Sequence, residues 1–165
     1  MLIPAALVVA APAAAYDFMT LADAQKQFFP GQKLTPAPVS LTDAQIAAIM
    51  KLSNVGVYRS EVKAWRSKSG ELMILDQVLG HRDTITYAVV FDRAGAVKAV
   101  EVLECDSLYD EVRAQTWLAQ FIGKTPETMK TLSSIQTISG TTLSSVNIAE
   151  GIMRLIATYT VAFAK

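Results

Sequence analysis

This chain has little of what metal and disulfide chemistry require. Cys105 is its only cysteine and His81 its only histidine, which excludes an intrachain disulfide, a CxxCH haem attachment and any Cys/His zinc cluster. Redox chemistry here would need an organic cofactor. Net charge is missing too: 15 Lys and Arg balance 15 Asp and Glu, so no basic field exists to attract nucleic acid or anionic lipid. There is no internal repeat, and low complexity is confined to the alanine-rich opening. What remains is 165 residues, 52% of them hydrophobic, which suits one globular unit able to bury a real core.

Met1 to Ala15 hold no charged side chain and end in Ala13-Ala14-Ala15 before Tyr16. An A-x-A-like site after an apolar run too short to span a bilayer predicts an export signal over 1–15 and a periplasmic mature protein. No cysteine follows the small residues, so a lipoprotein anchor is not expected.

Thr20 to Phe29 reads as a helix, Pro30 to Pro38 as a linker, and Leu41 to Leu52 as a second helix capped by Ser40 or Thr42. Together they form an N-terminal helical segment, 16–54. Four strand-like runs follow: Val55–Arg66, Glu71–Leu79, Thr84–Phe91 and Ala96–Glu104. The third is clearest, with Ile85, Tyr87, Val89 and Phe91 alternating against Thr84, Thr86, Ala88 and Val90. Ser69-Gly70, Gly80 to Asp83 and Asp92 to Gly95 are turn signals, so the runs predict an antiparallel meander. Glu111 to Ile122 then reads as a helix stopped by Gly123, and Thr125-Pro126-Glu127 opens a short helix through Met129 and Leu132. Thr142 to Lys165 reads as a long C-terminal helix packed on the sheet; Glu150 and Arg154 argue against a membrane span. The predicted class is α+β, a twisted antiparallel sheet of about four strands with packed helices.

The most informative string is Gln136-Thr137-Ile138-Ser139-Gly140-Thr141-Thr142-Leu143-Ser144-Ser145, at the start of the last helix. A glycine permits a tight turn, the first helical N–H groups lack intrahelical partners, and hydroxyls add donors, so a phosphate is stabilised there. On composition alone, ordinary helix capping explains the same string better.

The string resembles the flavinylation motif of the FMN-binding domain family, written as Asp, two variable residues, Ser or Thr, Gly, Ala, Thr. Ser139, Gly140 and Thr142 match, while Gln136 stands at the acidic position and Thr141 at the alanine. The resemblance extends over Val89 to Leu103, a strand-turn-strand, and over Glu104 to Lys124, where an acidic residue leads to Trp, Gln-Phe and Gly-Lys. It implies an FMN-binding domain over 55–165, with FMN held by a phosphoester on Thr142. Such domains occur in the sodium-pumping NADH:quinone oxidoreductase and related electron-transport complexes. The implied function is that of an exported electron carrier rather than an enzyme with its own substrate. Its implied partners are a flavin transferase and a membrane reductase or quinone-linked complex.

Around the flavin, the resemblance implies Ser139, Gly140, Thr141, Thr142, Leu143 and Ser144 at the phosphate, and Glu104 and Tyr109 beside the ring, though Tyr109 reads equally as a surface tyrosine. Lys124 either neutralises phosphate or is only solvated. Asn147 is either a cofactor contact or a plain helix surface residue. Trp117 and Phe121 read as core, Cys105 as a buried small hydrophobe and His81 as an exposed turn residue. Two alternatives stand beside the carrier: a flavin-free binding module of the same fold, and a small flavin-dependent reductase.

Overall fold

A computed structural model of the chain describes residues 19–105 and 107–164, the side chains of 107–109 excepted. The expected leader and its cleavage point lie outside the described residues.

The architecture is α+β. Four long strands, β3 (Glu61–Arg66), β4 (Leu72–Leu79), β5 (Thr84–Phe91) and β6 (Val97–Glu104), form the expected meander. Two two-residue strands, β1 (Thr35–Pro36) and β2 (Val39–Ser40), pair with β3 to complete an antiparallel sheet of six. The segment expected to be a linker thus forms sheet edge. Pro36 and Pro38 are compatible with it because an edge strand uses only one side for pairing, and Ala37 N–H reaches Ala64 O at 2.8 Å.

Alternation along β5 sends its side chains to two cores. Ile85, Tyr87, Val89 and Phe91 enter the larger core, while Ala88 and Val90 enter the smaller one. The larger is covered by α2 (Asp43–Ser53), through Ile49, and by α4 (Thr142–Thr158), through Ile148, Ile152 and Ile156. The smaller is covered by α1 (Leu21–Phe28), through Ala24.

Threonines start the first two helices. Thr20 caps α1 by accepting from Asp23 N–H, and Thr42 forms a reciprocal capping box with Gln45 on α2, an arrangement that satisfies two orphan donors. Beyond Thr158 the C-terminal helix widens into a π-turn, Tyr159–Phe163.

Three further predicted elements differ from those observed. The first long strand begins at Glu61, not Val55: residues 55–60 find no strand partner, and Gly56 O accepts from Arg154. The predicted helix 111–122 is broken into a 3-10 helix (Ser107–Arg113), α3 (Gln115–Leu118) and a 3-10 turn (Ala119–Phe121). Val112 and Leu118 sit six apart and would face different ways on one straight helix; the break at Ala114 lets both be buried. From Thr125 only one turn closes, with Thr128 and Met129 N–H both on Thr125 O. Thr131 is extended and breaks the segment, so Leu132–Ser134 forms a separate 3-10 turn while Met129, Leu132 and Ile135 still pack on the larger core.

Under α4 lies a polar network. Tyr87 Oη donates to Asp76 Oδ2 at 3.0 Å, and Arg154 Nη2 reaches the same oxygen at 2.6 Å. Burial, then the Asp76 carboxylate, push the Tyr87 phenol well above its ordinary value. Burial works against the Arg154 charge, but Asp76 together with Tyr87 and Tyr58 more than offsets it, and the group is raised above its ordinary value. Gly151 makes this possible, since a Cβ there would lie 2.1 Å from Tyr87 Oη.

Candidate functional site

The candidate site is the turn from Ile138 to Thr141 and the first turn of α4. Its base is held from outside. Trp117 Nε1 donates to Gln136 O at 2.6 Å, and Gln120 clasps the same residue twice, accepting from its N–H at 2.9 Å and donating to its carbonyl at 3.2 Å. Gln136 therefore acts through its backbone, and its side chain is free of these contacts. Trp117 also stacks edge-on against Phe121 at 5.2 Å, so both residues serve as scaffold, as expected.

Gly140 then turns the chain at φ +87°, a conformation that glycine adopts at little cost. A Cβ at Gly140 would meet nothing within 4 Å, so the outside of the turn is open. Ser139 is exposed. Thr141 closes the turn through its N–H to Ile138 O.

The two threonines that follow have opposite surroundings. Thr141 is 3% exposed and its hydroxyl donates to Glu111 Oε2 at 3.2 Å. Thr142 is exposed, with its hydroxyl on Ile138 O at 3.2 Å. With the Thr141 hydroxyl turned to Glu111, α4 has no side-chain N-cap. The first helical bond comes from Ser145 N–H to Thr141 O. The N–H groups of Thr142, Leu143 and Ser144 precede that bond and are the ordinary orphan donors of a helix start. Ordinary capping, which composition favoured, is what α1 and α2 show and α4 does not.

Ser144 and Ser145 are spent internally. Ser144 Oγ is buried and accepts from His81 N–H at 3.2 Å, tying α4 to the β4–β5 turn. Ser145 Oγ accepts from Ile138 N–H and donates to Thr142 O. Leu143 is 51% exposed.

Glu104, Lys124 and Asn147 do not converge on the turn. Glu104 lies at the same end of the sheet as His81, but it accepts a hydrogen bond from Thr86 at 3.2 Å. Thr86 shares its side of β5 with Ala88 and Val90, so the carboxylate faces the α1 side, away from α4. Lys124 pairs through its carbonyl with Val97 N–H at 3.0 Å. Val97 and Glu104 end a strand of 8 residues, roughly 23 Å apart along it. Tyr109 is on the Ser107–Arg113 helix, but its side chain lies outside the described residues. Asn147 donates to Leu79 O at 2.7 Å, a role within the fold. Cys105 is buried, as expected.

Sequence reasoning missed Glu111, Gln120 and the Trp117 indole as the holders of this turn. Glu111 lies 30 residues before its partner Thr141, and no local pattern signals such a pairing. Among the described residues no group of three or more His, Cys, Asp or Glu is placed to hold a metal, and no helix is long and apolar enough to cross a membrane. Comparison with family models, with curated proteins and with solved structures returns no match.

Proposed function

We propose that this protein is an exported carrier of FMN, attached by a phosphoester to Thr142, that passes electrons to a membrane reductase or quinone-linked complex. The observation that carries the reading is the contrast at the start of α4. An exposed threonine hydroxyl stands beside three uncapped N–H groups, on a turn with open space outside it.

Those features fit a flavin phosphate. The N–H groups of Thr142, Leu143 and Ser144 would donate to its oxygens, and the positive end of the α4 dipole would favour its charge. Thr142 supplies the ester oxygen. For attachment, a flavin transferase must bring an activated phosphate, such as the anhydride of a flavin dinucleotide. The Thr142 Oγ–P bond forms, the P–O anhydride bond breaks, the second nucleotide leaves, and the hydroxyl proton passes to a base on the transferase. Thr141 and Glu111 hold the turn from beneath while the outer hydroxyl reacts. When bound, the isoalloxazine supplies reversible electron transfer, and the protein supplies anchoring and orientation.

The same reading places the chain in the periplasm after export and makes the transferase its first partner. The test is colour. Chain coexpressed with an active transferase is expected to show flavin absorbance that survives denaturation, and Thr142→Ala to show none. A colourless wild type, with the transferase active on another substrate, would leave the flavin-free module as the better account.

A further inference from the structure

A second feature lies apart from the Gly140 turn, along α4. β3 pairs with β4 only across Leu72 to Leu75, so the end of β4, Asp76 to Leu79, is paired with β5 alone and open on its other side. Between that end, the Asn54–Ser60 segment and α4 is a cavity of about 450 Å³. Small-molecule sites fall in about the 300–1,000 Å³ range.

Its wall carries both polarities in fixed positions. Arg154 is held by Asp76 through Nη2 and by Gly56 O through Nη1 at 3.4 Å. Arg59 is held by Gln77 Oε1 through Nη1 at 2.8 Å. A guanidinium has five N–H donors, so both keep donors for a ligand while their orientation is set. Glu150 lines the same wall, four residues before Arg154. That spacing ordinarily gives a helix ion pair. Here Arg154 is committed to Asp76, and Glu150 has neither an ion pair nor a hydrogen bond among the described residues. With the Arg154 charge already paired to Asp76 behind the wall and Glu150 in the lining beside Arg59, the wall is dipolar rather than cationic, which disfavours a phosphate. Val55 and Val78 add apolar surface, and Tyr58 and Leu79 are 88% and 73% exposed at its edge.

We infer that this cavity binds the zwitterion of an α-amino acid with an apolar side chain. Arg59 and Arg154 take the carboxylate, in the fork geometry that suits guanidinium. Glu150 takes the ammonium. The side chain packs on Val55, Val78, Leu79 and the Tyr58 ring. The inference does not rest on the flavin reading, because none of these residues belongs to the Gly140 turn.

Titration calorimetry with L-phenylalanine, N-acetyl-L-phenylalanine and L-phenylalaninamide tests it, on the unmodified wild type and on Arg59→Gln, Glu150→Gln and Thr142→Ala. Arg154 is left intact because its loss would strand Asp76. Wild type and Thr142→Ala are expected to bind phenylalanine alike, and at least about tenfold more tightly than either blocked form, a difference of about 1.4 kcal/mol. Arg59→Gln should weaken phenylalanine and the N-acetyl form but spare the amide. Glu150→Gln should weaken phenylalanine and the amide but spare the N-acetyl form. General damage to the fold cannot produce that crossed pattern. Equal binding of the three compounds, indifference to both wall variants, or no saturable phenylalanine binding at millimolar concentration would overturn the inference.

Discussion

Adjacent residues of one type need not share a role, as Thr141 and Thr142 show: one hydroxyl is buried on Glu111, the other faces solvent. Gly151 is a second position governed by its neighbours. Alanine there would gain up to about 1 kcal/mol of helix propensity, but its Cβ would lie 2.1 Å from Tyr87 Oη and 2.9 Å from Val78 Cγ1. Overpacking should win, and Gly151→Ala is expected to lose about 1–3 kcal/mol in urea unfolding. Its cost combined with Tyr87→Phe should be less than additive; full additivity would show that the two do not meet. Glu101 offers a pH test. Burial raises its carboxyl above the ordinary value despite Arg113 and Gln115, so the folded state holds its proton more tightly than the unfolded chain. Stability from this group is present below the ordinary glutamate pKa and is lost as pH rises through the raised one. Glu101→Gln is therefore expected to raise Tm at neutral pH by a few degrees, with the gain shrinking in acid. A gain independent of pH would contradict it.

At the scale of elements, what was legible in the sequence is what local pattern governs. Alternation in Thr84 to Phe91 gave β5 residue for residue, and apolar spacing gave the body of α4. The broken stretch at Ala114 was not legible, because long-range burial of Val112 and Leu118 decides it. The site divides in the same way. Gly140 and the helix start are local and were readable; the uncapped state of α4 depends on Glu111 and was not. An open, positive helix end has a measurable consequence. Leu143→Asp puts an exposed acid in the first turn and should stabilise the unmodified protein by about 0.3–1 kcal/mol. The same charge should slow attachment of a flavin phosphate by repulsion. Thermal unfolding and a timed flavinylation assay check the two halves, and a stabilised variant modified at the wild-type rate would show that the helix end is not the phosphate seat.

For the molecule as a whole, the sheet brings the start of α4, the β4–β5 turn and the Ser107–Arg113 helix to one end, linked by Ser144 to His81 and Thr141 to Glu111. The Arg59–Arg154 cavity lies to the side, against the end of β4 that β3 leaves open. Anchoring and small-molecule binding would then be separate functions of one fold, each removable without the other. In the proposed carrier a single oxygen, Thr142 Oγ1, would hold the cofactor. Peptide mapping by tandem mass spectrometry, on wild-type chain coexpressed with an active flavin transferase, tests it most directly. A flavin phosphate is expected on Thr142 and none on Thr141, Ser144 or Ser145, with Thr141→Ala still modified at Thr142. Flavin on the buried Thr141, or none on any residue of this turn, would contradict it.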